Sequence, residues 1–386
     1  VIATDMLRVT FPYILFISLT AFATSILNTY KQFAIPAFTP VLLNLSLIGC
    51  AIWLAPKMDV PIKALAWGVL FAGVAQLLFQ FPFLMRLNLF PRPGLKRDKE
   101  GINRILKLML PTLFAVSIVQ INLLVDTIFA SNLVDGSISW LYFSDRMIEF
   151  PLGVFGIALA TVLLPNLSGE HAKNETEKFS SMMDWALRWV FVIAVPAAIG
   201  LAVLAIPILA TLFQYGEFTT YSAIMTGKSL LAYSLGLPAF ILIKVFVTGF
   251  FSRQNTLTPV KIGAFAMIAN IGFNFLLVGP FAHVGLALAT SMSAILQAIL
   301  LYCLLRKEGV YRPKPGWFKF SLQIIVSVST MACLIHYFVA GAEEWFAWNM
   351  IQRIGQLTLG ILVGASCYIS VLWVTGVRWQ KMTMQY

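Results

Sequence analysis

The sequence predicts an all-α polytopic membrane protein. Three observations support this fold class: the composition, the length of the apolar runs and the polar residues that separate them. Of the 386 residues, 59% are hydrophobic and 11% are charged, and the mean hydropathy is +0.85. Soluble domains instead hold roughly 45–50% apolar and about 25% charged residues. The composition therefore excludes an ordinary soluble protein and places the function inside the bilayer.

Eleven apolar stretches, bounded by charged residues, proline or glycine, predict the membrane spans. In chain order they cover residues 5–28, 36–56, 62–86, 104–131, 136–166, 182–212, 222–250, 259–279, 283–306, 316–340 and 346–376. A perpendicular crossing needs about 20 residues. Several stretches are longer, so we expect these helices to tilt or to extend past the headgroups.

Lysine and arginine concentrate in alternate loops, which accounts for most of the net charge of +11. The richer set of loops contains Lys31, Arg86, Arg92, Lys96, Arg97, Lys99, Arg104, Lys107, Lys173, Lys178, Arg253, Lys261, Arg306, Lys307, Arg312, Lys314, Lys319, Arg378 and Lys381. The opposite set holds little beyond Arg8, Lys57, Lys63, Lys228 and Arg353. By the positive-inside rule, the richer set and the C-terminus face the cytoplasm.

A weak internal repeat suggests a larger helix count. At an offset of 221 residues, the Ala-Leu-Ala of 64–66 aligns with the Gly-Leu-Ala of 285–287, and Gln76 aligns with Gln297. Such repeats are frequent in transporters. The repeat pairs the first three spans with the seventh to ninth. It therefore predicts three helices before Val1 and fourteen in all, as two six-helix lobes plus two C-terminal helices.

This count divides the chain into four segments. Residues 1–90 would be the remainder of an N-lobe (helices 4–6), and 91–103 a basic cytoplasmic linker. Residues 104–307 would form a C-lobe (helices 7–12), and 308–386 the two C-terminal helices (13–14) with a tail.

The fifth span carries the strongest candidate site. Asp145, Arg146 and Glu149 lie about a third of the way along it, where each charge costs about 2.5–3.5 kcal/mol on insertion scales and so indicates function. Arg146 and Glu149 share a helix face. They are either a local ion pair or a cation presented to a central cavity and held by carboxylates. An arginine fork suits phosphate because it donates two parallel hydrogen bonds. Pro151 could kink the span just beyond.

A second constellation spreads over three spans. It comprises Asp126 in the fourth span, Asn270 and Asn274 in the eighth, and Thr290 in the ninth. Carboxylate, amide and hydroxyl oxygens suit a hard cation such as Na⁺, and transporters build coupling-ion sites from such groups. The alternative is hydrogen bonding that holds the helices together.

Other polar residues give no further site. Asp184 and Arg188 are four residues apart at the start of the sixth span and predict an interfacial pair. The three histidines are scattered and the four cysteines lie singly in apolar runs, which predicts no metal site or disulfide. A Walker A loop and a nucleophile–base pair are absent from the sequence. We therefore predict a transporter that is not an enzyme and uses no cofactor, apart from a possible Na⁺ coupling ion.

Four segments resemble one known family. They are WLYFSDRMIEFPLGVFGIALATVLLPNLS at 140–168, FQYGEFT at 213–219, GFFSRQNTLTPVKI at 249–262 and PGWFKF at 315–320. Together they are similar to the MurJ (MviN) lipid II flippases of the MOP exporter superfamily, which have a MATE-like fold of two six-helix lobes plus a final pair. The resemblance implies that this chain covers the fourth helix onward, with the first three helices absent.

The resemblance also implies a function. It points to export of undecaprenyl-diphosphate-linked peptidoglycan precursor, lipid II, across the bacterial inner membrane by alternating access, which serves cell-wall synthesis and cell shape. It implies a multi-pass monomeric transport unit whose partners are lipid II, membrane lipids and the cell-wall synthesis machinery, and no nucleic acid. The alternative is a cation-coupled exporter of drugs or of another lipid-linked oligosaccharide. A third reading is a membrane scaffold that transports nothing.

Residue roles follow from the same resemblance. Arg146 matches a cavity arginine on the family's eighth helix, while Ser139, Asp145 and Glu149 lie at cavity positions of that helix. Arg253 matches a cytoplasmic loop associated with gating. The set of Asp126, Asn270, Asn274 and Thr290 matches a sodium site of some members, with Asn274 where those members have a carboxylate. The two final helices match a groove for the isoprenoid tail.

Overall fold

The computed structural model describes residues 2–30, 32–87, 120–173, 175–339 and 341–377, together with 89, 109, 113, 117 and 118. Within these ranges the chain is helical apart from short turns, and they contain no β-strand. The chain divides into two compact units, Val1–Asn103 and Arg104–Tyr386. The predicted basic linker at 91–103 lies outside the described residues.

The described residues of the first unit form four α-helices. They are α1 (Ile2–Thr10), α2 (Tyr13–Thr29), α3 (Ala34–Gly49) and α4 (Lys63–Arg86), with a π-helical turn at Cys50–Leu54 and a 3₁₀ turn at Ala55–Lys57. Small residues let α4 approach its neighbours closely, since a Cβ at Gly73 would lie 2.6 Å from the ring of Tyr13. Gln80 donates to the hydroxyls of Thr24 and Thr39 at 2.9 and 3.0 Å. Such polar contacts hold helices together in a bilayer.

The second unit contains ten helices within its described residues. They are α5 (120–131), α6 (Ser137–Pro151), α7 (Ala158–Ala172), α8 (Thr176–Val203), α9 (Ala205–Phe213), α10 (Thr220–Phe251), α11 (Leu257–Lys307), α12 (Trp317–Phe338), α13 (Ala342–Ala347) and α14 (Met350–Val374). Most of α10 is buried, and α6, α8 and α11 pack against it. A π-helical turn at Leu152–Ile157 joins α6 to α7 directly after Pro151.

Nine segments of the described residues are long and apolar enough to cross a membrane, which agrees with the predicted fold class. One of them, α11, is broken at Ala282, whose φ of 49° and ψ of −129° are not helical. Its two arms correspond to the predicted eighth and ninth spans. The fourth predicted span, 104–131, lies mostly outside the described residues, and its last part is α5.

The break in α11 depends on close backbone packing. A Cβ at Gly285 would lie 2.2 Å from the carbonyl oxygen of Leu277, so only glycine fits there. Next to the break, His283 is buried, contacts the ring of Trp140 on α6 at 4.8 Å and hydrogen-bonds the carbonyl of Met225 on α10 at 3.2 Å. The turn between the arms is thus tied to two further helices.

Candidate functional site

One face of α6 is polar and exposed. Ser139, Tyr142, Arg146 and Glu149 are exposed and follow one another at intervals of three or four residues, which places them on the same face of the helix. The opposite face packs inward, and Ser144 on it donates to the carbonyl of Thr226 on α10 at 2.9 Å. The hydrogen bond and this packing fix the direction in which the exposed face points.

Arg146 forms an ion pair with Glu149, and the two side chains remain 51% and 50% exposed. Its guanidinium also lies over the ring of Tyr142, 5.0 Å from the centroid. The local ion pair considered from the sequence is therefore present. However, it uses one edge of the guanidinium and leaves other N–H groups open. Since exposed ion pairs contribute at most about 1 kcal/mol, this contact can be exchanged for a ligand.

Asp145, the neighbour of Arg146 on α6, faces a cavity. It lines a cavity of about 420 Å³ formed by α5, α6, α10 and α11. Polar residues on its wall include Asn122, Asp126, Tyr233 and Gln297. Tyr142, whose ring lies under the Arg146 guanidinium, also lines this cavity, whereas Ser139, Arg146 and Glu149 are not among the lining residues. The exposed face of α6 therefore adjoins the cavity at Tyr142.

The predicted cation-site residues come together at the edge of this cavity. Asn274 donates from Nδ2 to Asp126 Oδ1 at 2.6 Å and to Asn270 Oδ1 at 3.0 Å. Asn270 in turn contacts the hydroxyl of Thr290 at 3.4 Å. Sequence reasoning missed Asn122, which donates to Asp126 Oδ2 at 3.3 Å from one turn earlier on α5. That spacing was a usable signal.

The arrangement has the features of a hard-cation site. In the other orientation of its amide, Asn270 donates to Asp126 Oδ1 at 3.2 Å and to Asn122 Oδ1 at 3.1 Å, and accepts from the backbone N–H of Thr290 at 3.2 Å. Asn274 Oδ1 is buried and has no hydrogen-bond partner among the described residues. Converging oxygens with one carboxylate fit Na⁺. The described chain has no group of three His, Cys, Asp or Glu that could hold a metal ion.

Arg253 lies in the tight turn between α10 and α11. It donates to Glu308, just after α11, at 2.6 Å, and it lies over the ring of Phe250 at 5.3 Å. The next residue, Gln254, has a φ of 59°, a conformation that costs a non-glycine residue energy. Beside this pair is a small cavity of about 190 Å³. The ion pair links the turn before the first arm of α11 to the residue after its second arm, on the face predicted to be cytoplasmic.

Among the described residues outside the predicted site, Asp184 and Arg353 are buried charged residues, 2% and 6% exposed. The sequence predicted an interfacial pair for Asp184 and an outward loop for Arg353. Asp184 does contact Arg188, but its other partners lie around residue 314. Burial and the charge of Asp184 raise the pKa of Tyr311, so its hydroxyl stays protonated and donates.

Sequence comparisons identify similar proteins. The profile described as "Lipid II flippase MurJ" matches residues 1–354. A probable lipid II flippase MurJ of Haemophilus influenzae is 44% identical over 382 residues, which cover 97% of this chain and 75% of that protein. The relative from Vibrio cholerae is 46% identical, with 98% and 72% covered. The lipid II flippase MurJ of Burkholderia cenocepacia is 40% identical, with 98% and 74% covered.

Solved structures agree with the fold. A lipid II flippase MurJ in an inward closed conformation superimposes with a TM-score of 0.79 at 27% identity, covering 97% of this chain and 75% of that one. A MATE protein in complex with MaL6 gives a TM-score of 0.59 at 16% identity, covering 79% and 70%. The second similarity is one of fold alone, and it confirms the predicted MATE-like architecture.

One expectation is not supported by these comparisons. The chain spans about three quarters of the length of its relatives, but nothing in the comparisons assigns it to the fourth helix onward or counts three absent helices. The internal repeat is weak evidence for a helix count, because apolar helices resemble one another in composition. A match of a few residues is therefore too little to count helices outside the chain.

Proposed function

The chain belongs to the lipid II flippase MurJ family, and we propose that it translocates lipid II across the bacterial inner membrane by alternating access. It is a multi-pass membrane protein of a transporter family. The observation that carries the mechanism is the half-exposed Arg146 in a membrane-spanning helix. A charge at this depth is costly unless it faces protein or water, and its open N–H groups suit a diphosphate.

Arg146 acts as the ligand for the diphosphate. Glu149 and the ring of Tyr142 hold the guanidinium in place before the substrate arrives, so little side-chain entropy is lost on binding. The planar fork then donates to two phosphate oxygens. Ser139, on the same face, adds a hydroxyl donor. Asp145, on the cavity side, keeps the anion on the Arg146 side by repulsion.

Na⁺ is the proposed coupling ion. Asp126, Asn270, Asn274 and Thr290 would supply its oxygen ligands, and Asn122 would supply a fifth. The buried, unpartnered Asn274 Oδ1 beside the Asp126 carboxylate supports this assignment. When bound, Na⁺ would neutralise the charge of Asp126. In its absence, rotation of the Asn270 amide would satisfy the same groups by hydrogen bonding.

The remaining assignments follow from charge and packing. The ion pair of Arg253 with Glu308 gates the cytoplasmic side. We propose a cytoplasmic C-terminus, which the positive-inside pattern supports. α12 and α14 border the surface that takes the isoprenoid tail, because their outward side chains, such as Leu322 and Leu359, are apolar and exposed. We propose a monomeric transport unit that works beside the cell-wall synthesis machinery.

Complementation tests the role of Arg146. In cells depleted of their own lipid II flippase, Arg146→Ala is expected to abolish growth, and Arg146→Lys to restore it in part because the charge remains while the fork is lost. Arg306→Ala is the matched control, since Arg306 is an exposed arginine at the end of α11. Normal growth with Arg146→Ala at matched expression would refute the role and favour an exporter of cationic drugs on the same fold.

A further inference from the structure

Helices α12 and α14 pack together as a close pair. Gly360 and Gly364 lie one turn apart on the buried face of α14, and a Cβ at Gly364 would lie 2.6 Å from Ile335 Cδ1 on α12. Small residues at this spacing let two helices approach in a membrane. The exposed faces of the pair are apolar. The pair therefore behaves as one unit, and the question is how that unit is held to the rest of the C-lobe.

An apolar seam joins the pair to α8. It contains Val192 and Leu204 on one side and Ile324, Val328, Met331 and Leu372 on the other. Within a bilayer such a seam gives little net attraction, because lipid tails solvate apolar side chains as well as other side chains do. Apolar contact alone would allow the pair to slide or separate. Polar contacts must then decide whether it stays in place.

Asp184 holds the inner end of the pair. Its Oδ1 accepts from Tyr311 Oη at 3.0 Å, from the backbone N–H of Lys314 at 3.1 Å and from Trp317 Nε1 at 2.7 Å. Its Oδ2 accepts from Arg188 Nε at 2.8 Å. The three donors to Oδ1 lie in the segment that leads into α12 and in its first residue, whereas Arg188 lies on α8 itself. One buried carboxylate on α8 thus fixes the start of α12.

Arg353 holds the outer end. From α14, its Nη1 donates to the carbonyl of Ala210 at 2.9 Å and its Nη2 donates to the carbonyl of Phe346 at 3.1 Å. These carbonyls belong to the last turns of α9 and α13, where carbonyls lack helical partners and the helix dipole is negative. Two helix ends thus balance the buried cation. Between the two ends, Tyr368 on α14 donates to the carbonyl of Val192 on α8 at 2.8 Å.

We propose that Asp184 and Arg353 are positioning residues that keep α12 and α14 fixed to α8 and α9 as one rigid body throughout transport. The two contacts bracket α8, which rises about 28 Å from Asp184 to Val203 at 1.5 Å per residue. The apolar outer surface of the pair then moves with the C-lobe and does not open away from it. This inference concerns movement and holds whichever lipid is carried.

A disulfide across the inner contact tests the proposal. Ser180 Oγ lies 2.9 Å from the backbone nitrogen and 3.1 Å from the carbonyl oxygen of Arg312, so the two residues are in direct contact, and formation of a disulfide between cysteines there is verified by mass spectrometry before transport is measured. The pair S180C and R312C is introduced after the four native cysteines are replaced by serine. Oxidation is expected to leave lipid II transport unchanged. Loss of transport on oxidation that a reductant reverses would overturn the proposal.

The same disulfide separates positioning from other roles of Asp184. Asp184→Asn keeps the shape and removes the charge, and we expect transport to fall about tenfold because hydrogen bonds to a charged group are lost. The oxidised disulfide is expected to restore it. Glu177→Gln, an exposed acid on the same helix, is the control. Reduced transport that the disulfide fails to rescue would contradict the positioning role.

A distance measurement tests the proposal without a substrate and without a change at Asp184 or Arg353. Spin labels at the exposed Glu177 and Lys319 report the distance between α8 and α12. The otherwise unaltered protein in lipid nanodiscs is expected to give one narrow distance distribution. Two separate peaks would refute the proposal even if lipid II transport were normal. If instead the proposed function fails, this distribution stays narrow, so the two failures are distinguishable.

Discussion

Replacing Asn274 with aspartate is expected to make the stability of the protein strongly dependent on Na⁺. Asn274 Nδ2 lies 2.6 Å from Asp126 Oδ1 and currently donates to it. In Asn274→Asp a second carboxylate replaces this amide. It would repel the carboxylate of Asp126 unless a cation lies between them. The variant thus tests whether the oxygens around Asp126 form a cation site.

The size of the effect follows from the separation of the two charges. Two unit charges about 4 Å apart repel by about 4 kcal/mol at an effective dielectric constant of 20. Relief of this repulsion by a bound cation corresponds to an upper bound of about 1000-fold in affinity, at 1.4 kcal/mol per factor of ten. Proton uptake by one carboxylate competes with the cation and reduces the gain at neutral pH. We therefore expect Na⁺ to bind more tightly, by a factor below this bound of about 1000-fold.

Thermal unfolding in matched NaCl and choline chloride measures this dependence. A ligand that binds the folded state stabilises it by RT ln(1 + [L]/Kd), so the melting temperature of Asn274→Asp should rise with Na⁺ far more than that of the unaltered protein. Asp126→Asn is the control and should remove the dependence. An equal response of Asn274→Asp and the unaltered protein to Na⁺ would refute the reasoning.

Three further predictions concern the break in α11, the proposed gate and the helix pair. Ala282→Gly should raise the free energy of unfolding by about 1 kcal/mol, because a φ of 49° with a ψ of −129° strains a residue that has a Cβ. Chemical denaturation measures the free energy of unfolding, and a decrease would contradict the assigned strain. Arg253→Glu and Glu308→Arg should each lose transport, and the double variant with exchanged charges should recover it, since Arg253 Nη2 lies 2.6 Å from Glu308 Oε2. Failure of the double variant to recover transport would show that Arg253 acts alone. Gly364→Val should separate α12 from α14, because even a Cβ at this position would lie 2.6 Å from Ile335. Proteolysis of the α12–α14 segment should then be faster, and an unchanged rate would contradict the close packing.

Local patterns were sufficient for the fold class and for the exposed face of α6. Apolar runs of about 20 residues identify spans, and the charges at Asp145, Arg146 and Glu149 stand out within such a run. The spacing of three residues between Arg146 and Glu149 predicts that they share a helix face. These features depend on residues within three turns of one another, which is why the sequence alone reveals them.

Contacts between distant residues were not predictable in the same way. Asp184 was interpreted as an interfacial pair with Arg188 because its other partners lie more than 120 residues away. Arg353 was assigned to an outward loop because charge alone was considered, whereas the ends of two helices accept its hydrogen bonds. The structure also gives Asp145 and Arg146 different surroundings, since Asp145 lines the cavity and Arg146 contacts Glu149 and Tyr142.

The convergence of the cation-site residues was predicted from chemistry and not from spacing. Oxygen-bearing side chains on three apolar spans suggested one site, and the structure brings Asp126, Asn270, Asn274 and Thr290 into one hydrogen-bonded group. Asn122 escaped notice although it lies one turn from Asp126. Occupancy of this cation site by Na⁺ is a proposal that the unfolding experiment tests.

Direct binding of lipid II to the purified protein tests the central claim, that Arg146 holds the diphosphate. Loss of hydrogen bonds from a charged donor costs about 1.5–3 kcal/mol, which is roughly 10- to 100-fold in affinity. We predict that Arg146→Ala weakens lipid II binding by this amount while Arg306→Ala leaves it unchanged. Equal affinities of Arg146→Ala and the unaltered protein would contradict the account.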